Sequence, residues 1–345
     1  MPRITDLVTS NEIVAYWETL ENNRQPYLGE TLFPSRSKRG LNLSWLKGSQ
    51  GLPVALKASA FDANAVLRPR IGVDKLTAQM PFFKESMAIN EEDRQELNMV
   101  LETGNQTYIN TILNKIYDDE TTLLDGARAR REQMRMMMLT TGSISISSNG
   151  QNYDFDFGVP ANHKETVTAS WSAANTDIIA DIKKWQDTVE DDTGVRPTRA
   201  ICSRKTWGYL LNNTGIRNGI LGNNSAASVS DNQVVQYLLD RLDLEVVVYT
   251  KKYVDSNGTA QKYVEDDIFV LFPEGDLGNT WFGTTPEESD LMSSKVANVT
   301  ITDTGVAVTT MEKADPVNVE TKVTMITLPD FPTADQIFIA DVITG

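Results

Sequence analysis

Residues 118–142, DDETTLLDGARARREQMRMMMLTTG, determine how the rest of the chain is interpreted. Here and just upstream, apolar residues recur at steps of three, four or seven, which is the spacing of one face of an α-helix. The members of this stripe are Ile109, Leu113, Ile116, Leu123, Ala127, Met134 and Met138. Acidic residues precede basic ones, as the helix dipole favours. The pattern predicts one long helix that begins near Gln106 and ends at Gly142.

Four arginines and four methionines are collected in this predicted helix. The methionines continue the packing stripe, because an unbranched thioether adapts to irregular gaps in a core. Arg128, Arg131 and Arg135 share a face at spacings of three and four residues. We interpret them as partners for carboxylates of a neighbouring element or chain, and we favour ion pairs between subunits over contact with nucleic acid. On that interpretation, reversing Arg131 to Glu blocks assembly at any salt concentration.

Composition sets the broad class of the protein. The chain has 345 residues, which is long enough for about two domains. Its formal net charge of −15 argues against a nucleic-acid binder of the whole-surface type, because phosphate is repelled. The N-terminus lacks the apolar run of a signal peptide, and no stretch has the roughly 18 apolar residues of a membrane span. With one cysteine and no membrane partner expected, we predict synthesis in a reducing cytoplasm.

The chain is poorly equipped for catalysis. One histidine and one cysteine exclude zinc sites of the Cys/His type. His163 follows a turn-like polar stretch and is predicted to lie on the surface, whereas Cys202 ends an apolar run and is predicted to be a buried structural thiol. The glycines of TGIRNGILGNN (214–224) have the wrong spacing for a dinucleotide fingerprint and indicate a loop. We predict no enzymatic activity, no cofactor and no metal site.

The first 84 residues predict an arm followed by an exposed hairpin. An amphipathic helix is predicted in NEIVAYWETLENN, and the apolar anchors of the extended arm after it are Tyr27, Leu28, Leu32 and Phe33. Val54–Ala60 and Asp74–Met80 predict two strands with a long tip between them. The tip has too few apolar residues to pack on itself, so we expect another chain to cover it. The candidate contact residues in the tip are Phe61, Arg68 and Arg70.

The remaining sequence alternates between helix and strand signals. Residues 143–158 alternate on both sides of Asn149-Gly150, which predicts a hairpin. Helices are then predicted in TDIIADIKKWQDTVEDDTG, SRKTWGYLLNN and SDNQVVQYLLDRL, and strands in RPTRAIC and on both sides of the turn at Asn257-Gly258. Beyond Val296 the chain is β-like, and QIFIADV predicts a closing strand. We expect residues 163–288 to fold alone.

This ordered set of parts resembles the major capsid protein of tailed bacteriophages, and more narrowly the lambda-type capsid protein E family with the Hong Kong-97 capsid fold. The resemblance covers nearly the whole chain and rests on the order of several pieces, none of them diagnostic alone. Those pieces are GLPVALKASAFDANAVLRPR, residues 118–142, ICSRKTWGYLLNN, and VVVYTKKYVDSNGTAQKYVEDDIFVLFPEGDLGNTWFG. The block from Tyr253 to Pro273 is the part most similar to lambda-type proteins.

The resemblance implies an α+β fold with five segments. They are an N-arm (1–51), an E-loop (52–84), a P-domain with spine helix and hairpin (85–162), an A-domain (163–288) and the return strands of the P-domain (289–345). The E-loop is expected to lie over an adjacent subunit, and the tips of the A-domain to meet at the centres of hexamers and pentamers. Lys57 and Lys75 lie in the hairpin, but no partner for a lysine–asparagine cross-link is recognised.

The resemblance also implies the function and its partners. The chain is expected to be the major head protein of a tailed bacteriophage, assembled in the bacterial cytoplasm into an icosahedral shell around double-stranded DNA on its inner face. The short segment before the E-loop implies a separate scaffolding protein; a portal protein is a further partner, and a decoration protein could bind outside. Two alternatives remain open from the residues: a tail-tube or surface-layer subunit, and an enzyme of unknown type with its site in the A-like region.

Overall fold

The structure is a computed structural model that describes residues 7–21, 25–47, 74–89, 91–103, 105–222, 228–255, 257–292, 297–314 and 317–344. The chain divides into two compact units. Unit 1 comprises Met1–Leu43, Ala78–Met134 and Asn279–Asp330. Unit 2 comprises Ser44–Thr77, Arg135–Gly278 and Phe331–Gly345.

Helices and strands are both well represented in the described residues, as the α+β expectation requires. The helices are α1 Ser10–Glu21, α2 Leu28–Leu32, α3 Glu91–Thr103, α4 Gln106–Thr141, α5 Ile178–Thr193, α6 Arg204–Asn212, α7 Thr214–Leu221 and α8 Asp231–Leu242. The first strands are β1 Ser35–Ser37, β2 Asn42–Lys47, β3 Asp74–Gln79, β4 Phe82–Ala88, β5 Ser143–Ser148, β6 Gln151–Asp156, β7 Lys164–Thr166, β8 Arg199–Cys202 and β9 Glu245–Val248. The others are β10 Lys252–Val254, β11 Ala260–Lys262, β12 Ile268–Phe272, β13 Thr280–Phe282, β14 Ala297–Thr302, β15 Val306–Ala314, β16 Val317–Pro329 and β17 Phe338–Asp341.

The long helix α4 confirms the prediction made from its apolar stripe. It has 36 residues and therefore extends about 54 Å. At its start, the Asn105 side chain accepts a hydrogen bond from the backbone N–H of Thr107 at 3.2 Å. At its end, Gly142 has φ +79°, and a Cβ there would lie 2.7 Å from Val159. Glycine is therefore required where the helix stops.

Unit 1 packs the N-terminal part of α4 on a six-stranded sheet. The strand order is β1-β13-β16-β15-β14, and β4 also pairs with β16. Strands β15 and β16 form a long antiparallel pair in which Val308 lies opposite Val323. Apolar side chains of this pair form one buried cluster with α4 and α1, including Ile116 and Trp17. Burying that face is what fixes α4 on the sheet.

Unit 2 has its own core around a five-stranded sheet. The strand order is β7-β17-β12-β8-β9, with helices α5, α6 and α8 contributing to one buried cluster. The three predicted helices are confirmed, and each is capped by a side chain: Asp177 for α5, Ser203 for α6 and Ser230 for α8. Gly194 ends α5 in the left-handed conformation, as the sequence predicts.

Two predicted hairpins are present in unit 2. Strands β5 and β6 pair antiparallel across Asn149 and Gly150, whose φ values are +50° and +75°. Two positive φ values in succession are what a type I′ turn needs. Strands β10 and β11 form the second hairpin, with Gly258 at φ +78° in its turn.

One prediction about local structure is wrong. Residues 214–221 form helix α7 and not a loop, because the Asn213 side chain accepts a hydrogen bond from the backbone N–H of Ile216 at 3.0 Å and starts a helical turn. Strand β3, the second leg of the predicted exposed hairpin, is present and pairs with β2. Val54–Ala60, Lys57 and the tip with Phe61, Arg68 and Arg70 lie outside the described residues.

The closing strand was predicted correctly but assigned to the wrong segment. Strand β17 pairs with β12 on one side and with β7 on the other, so it is an interior strand of the unit 2 sheet. Residues 289–345 are therefore not all return strands of a P-domain.

No helix in the described part of the chain has the length and apolarity that crossing a bilayer requires.

The position of β17 within the unit 2 sheet changes which fragment we expect to fold on its own. Residues 163–288 lack β17, whose Phe338 and Ala340 belong to the core of unit 2. We expect that fragment to show no cooperative thermal transition. Joining Gly278 to Phe331 through an Asn-Gly linker, and ending at Thr344, restores the strand; the linker can be short because Thr333 Oγ1 donates to the carbonyl of Leu277 at 2.7 Å.

Circular dichroism melting of the two fragments checks this expectation. The linked fragment should unfold in one sigmoidal transition, since the complete core is present. Equal cooperative transitions for both fragments would show that β17 is not needed for the sheet.

Candidate functional site on the long helix

The candidate site is a set of charged side chains on α4 that contact other parts of unit 1. We call it the arginine junction, defined by Arg128 and Arg131 on α4 together with Glu30, Asp303 and Phe282. The three residues that contact the arginines lie on three different elements: Glu30 on α2, Asp303 in the turn between β14 and β15, and Phe282 on β13. The junction therefore links three separate stretches of sequence to one helix.

Arg128 binds the segment that precedes β1. Its Nε and one terminal nitrogen contact the two oxygens of Glu30 at 2.7 and 3.0 Å, a bidentate arrangement. Its guanidinium also lies 4.9 Å from the centre of the Tyr27 ring. Nearby, the backbone N–H of Gly29 donates to Oε1 of Glu132 at 3.2 Å. Short helix α2 is thus held on α4 by a paired charge, a cation–π contact and a backbone hydrogen bond.

Arg131 holds the turn between β14 and β15. It forms an ion pair with Asp303, its Nε donates to the carbonyl of Ala127 at 3.3 Å, and its guanidinium lies 5.5 Å from the centre of the Phe282 ring. The Arg131 side chain is only 3% exposed, whereas that of Asp303 is 31% exposed. A nearly buried cation of this kind depends on its partner, because desolvation without a counter-charge is costly.

The turn that Arg131 contacts has an unfavourable backbone. Asp303 and Thr304 have φ values of +45° and +72°. Threonine is β-branched and rarely adopts a positive φ, so the surrounding contacts must hold it there. The next residue, Gly305, approaches Phe282 so closely that a Cβ would lie 2.6 Å from it. The pair of Arg131 with Asp303 is one of the contacts that stabilise this turn.

Helix α1 lies along the same stretch of α4. Trp17 Nε1 donates to Asp125 at 2.9 Å, Tyr16 donates to Asp118 at 2.7 Å, and Tyr117 donates to the carbonyl of Leu7 at 2.7 Å. The hydrogen bond to Asp118, together with burial and the charge of Asp118, raises the pKa of Tyr16. Polar contacts between α4 and the N-terminal residues thus extend from Tyr117 to Glu132, about 22 Å of helix.

The three arginines therefore correct the favoured interpretation. Arg128 and Arg131 find their carboxylates, Glu30 and Asp303, within the same chain. Arg135 is 1% exposed, so it too is buried within the single chain. Sequence spacing could not reveal this, since both partner carboxylates are far away along the chain. Reversing Arg131 to Glu would accordingly disturb the fold of the subunit itself.

Glu120 is a buried acid on the face of α4 that meets the sheet. It is 1% exposed, and its Oε2 makes no hydrogen bond with any described residue. Burial raises the pKa of Glu120 to about 7; the hydroxyl of Thr321 opposes this shift and the charge of Asp119 adds to it. The position of Glu120 close to the apolar stripe was the only signal of its burial in the sequence.

Unit 2 contains the single histidine and the single cysteine of the chain, His163 and Cys202. His163 is fully buried, which contradicts the predicted surface position: its Nε2 lies 3.0 Å from Asp192 Oδ2, and its ring stacks on Phe338 at 6.2 Å. Hydrogen bonds from Asn162 and His163 lower the pKa of Asp192.

Cys202 is buried as predicted, and burial raises the pKa of its thiol to about 12, so it is a poor nucleophile.

The described residues contain no group of three or more His, Cys, Asp and Glu side chains arranged to hold a metal ion. The arginine junction has no nucleophile beside a base, and its charges neutralise one another. The junction joins α4 to the N-terminal segment and to one turn of the sheet through ion pairs within one chain.

Glu120 gives a stability that depends on pH. Its folded pKa of about 7 lies above the ordinary value of 4.5, so the unfolded chain loses this proton first as pH rises. The fold therefore loses stability between pH 4.5 and 7, by about 3 kcal/mol in total at roughly 1.4 kcal/mol per pKa unit. Glu120→Gln should be more stable than the parent by about that amount at pH 8, and nearly equal to it at pH 4.

Urea unfolding of the unassembled chain at pH 4 and at pH 8 measures the effect. Glu102→Gln, on the exposed surface of α3, is the matched control and should leave the pH dependence unchanged. If parent and Glu120→Gln lose stability in parallel as pH rises, Glu120 is not the group responsible.

Comparison with known proteins identifies the family. The family model described as phage major capsid protein E matches residues 9–342. No curated protein sequence matches the chain. The family consists of capsid proteins, which are structural proteins and not enzymes.

Solved structures are similar over almost the whole chain. A capsid protein of a prophage of Escherichia coli CFT073 is 17% identical, with a TM-score of 0.63 over 97% of this chain and 99% of that one. A phage-related protein of Bordetella bronchiseptica RB50 is 12% identical, with a TM-score of 0.55 over 97% of each chain. The capsid protein of cyanophage A-1(L) is 10% identical, with a TM-score of 0.51 over 92% of each chain. At these identities the similarity shows the fold, which is the Hong Kong-97-like capsid fold.

A family match that spans both units, carried by a chain with this fold, settles the assignment. The chain belongs to the phage major capsid protein E family and is a major capsid protein of a phage virion, where copies of it assemble into an icosahedral shell.

Proposed function

We propose that this chain forms the hexamers and pentamers of a tailed-phage head that encloses double-stranded DNA, with a separate scaffolding protein and a portal protein as assembly partners. Family membership over residues 9–342 is the observation that supports this proposal most strongly. It favours a closed shell over the tail-tube or surface-layer alternative, and over an enzyme. A decoration protein on the outer face is a further candidate partner.

The arginine junction contributes by preparing the subunit before it meets its neighbours. Because Arg128 and Arg131 are neutralised by Glu30 and Asp303 inside one chain, α4, α2 and the turn at Asp303 form one preorganised body. A subunit with fixed geometry loses little conformational entropy when it assembles. Weak contacts can then close a shell, because many copies repeat them.

The A-domain of this proposal is the five-stranded sheet of unit 2 with its helices. Its β10–β11 hairpin ends in an exposed segment where Val254 is 68% exposed. We assign this hairpin to contacts near the centre of each hexamer and pentamer. The net charge of −15 suits a shell protein, because it limits binding of DNA during assembly.

Electron microscopy of the purified recombinant chain tests the proposal directly. We expect closed icosahedral particles built from hexamers and pentamers, alone or after addition of the scaffolding protein. A matched variant, in which residues 61–72 are replaced by a short Gly-Ser turn, should keep the circular dichroism spectrum of the parent and lose the particles. Tubes, flat sheets or a small stable oligomer from the parent chain would contradict the proposed function.

A further inference from the structure

Charge is strongly segregated along this chain. Residues 31–73 contain seven lysines and arginines and one acidic residue, Asp62, a net charge of +6. The other 302 residues therefore carry 25 basic and 46 acidic side chains, a net charge of −21. A chain with this distribution attracts another copy of itself when the basic part of one meets the acidic surface of the next.

The described part of this basic stretch forms a defined surface. We call it the basic edge: Arg36, Lys38, Arg39 and Leu41, on and just after strand β1. Arg36 and Arg39 are exposed, and none of the three cations forms an ion pair with a carboxylate among the described residues. By contrast, Arg128 and Arg131 of α4 are buried, and each forms an ion pair with a carboxylate of the same chain.

Local geometry holds the basic edge in place. The backbone N–H of Lys38 donates to the carbonyl of Phe282 at 2.7 Å, and Nε of Arg36 lies 3.3 Å from Asn279 Oδ1. Gly40 follows at φ +91° and turns the chain. The three cations are therefore presented by ordered backbone, which lowers the entropy lost when a partner binds.

Two features favour a protein partner over a polyphosphate. Leu41 is 44% exposed within the basic edge, and duplex phosphate offers nothing apolar to cover it. In addition, β1 is the terminal strand of its sheet and pairs only with β13 among the described residues, and a terminal strand can pair with a strand of another chain. Protein interfaces combine apolar cover, backbone pairing and charge in this way.

We propose that the basic edge docks on an acidic surface of a second copy of this chain, as a heterologous contact of the shell. This inference rests on the proposed function and names one of its subunit contacts. Because the partner surface differs from the basic edge, the contact runs from each copy to the next around a ring. The contact is largely electrostatic and therefore weakens with salt.

Charge reversal with matched controls tests the inference. Arg36→Glu combined with Arg39→Glu should reduce particle yield on the order of tenfold at low salt, because attraction to the neighbour becomes repulsion. The control combines Lys183→Glu and Arg241→Glu, an identical change in net charge at exposed cations outside the basic edge and outside the β10–β11 hairpin, and should assemble like the parent. Circular dichroism melting confirms that both are folded; if the reversed variant melts early, Arg36→Gln with Arg39→Gln replaces it and should show a smaller loss.

The salt dependence has opposite signs in the two proteins. Raising the NaCl concentration should lower the yield of parent particles and raise that of the reversed variant, because salt screens attraction in the first and repulsion in the second. Parallel salt curves would overturn the inference. So would an unchanged yield from the reversed variant combined with weaker binding to a 30-base-pair duplex, a result that would assign the basic edge to DNA.

Zero-length carbodiimide cross-linking identifies the contact independently. Particles assembled from an equal mixture of natural-isotope and ¹⁵N-labelled chains should give mixed-isotope peptides that join Lys38 to an acidic residue. Absence of such peptides from intact particles would count against the inference while leaving the proposed function standing. If the parent forms no particles at all, the proposed function fails and this inference with it.

Discussion

The ion pair between the buried Arg131 and the partly exposed Asp303 is the contact on which the turn between β14 and β15 depends. It places an almost fully buried guanidinium on α4 and joins it to a turn that two positive φ values would otherwise disfavour. This turn connects β14 to β15, and β15 pairs with β16 along nine residue pairs. Burial of the apolar face of α4 fixes the helix on the sheet, and this ion pair fixes the turn between β14 and β15 on the helix.

The other polar contacts of α4 hold the N-terminal residues on the same helix. Arg128 and Glu132 fix α2, whereas Asp125 and Asp118 accept hydrogen bonds from the aromatic side chains of α1. A shell protein benefits from such contacts within the subunit, because many identical copies must present the same geometry to their neighbours. Family membership and this preorganised subunit thus support one account: α4 organises unit 1 first, and weaker surface contacts then close the shell.

Sequence reasoning predicted the elements that depend on local pattern. The bounds of α4, the turn at Asn149-Gly150 and the presence of helices α5, α6 and α8 follow from apolar spacing and glycine positions, and all are confirmed. The resemblance drawn from the order of these elements led to the correct family. Helix α7 was missed because its glycines outweighed the cap at Asn213 in the interpretation.

Features that depend on long-range pairing could not be read from the sequence. Nothing near Arg131 indicates that its partner lies at Asp303, and nothing in QIFIADV shows that β17 enters the unit 2 sheet between β7 and β12. His163 looked polar and exposed because its neighbours are, yet Phe338 from the far end of the chain covers it. These contacts are set by tertiary packing, which local composition does not encode.

A double-mutant cycle on Arg131 and Asp303 tests the central claim most directly. Arg131→Met, Asp303→Asn and the double variant are compared with the parent by urea unfolding of the unassembled chain. The account predicts a coupling energy of about 2–3 kcal/mol, with Asp303→Asn the more destabilising single change, since it leaves Arg131 buried without its counter-charge. A coupling below about 0.5 kcal/mol, as expected for the pair of Lys313 with Glu320, whose lysine is 48% exposed, would contradict the claim that this contact holds the turn between β14 and β15 on the helix.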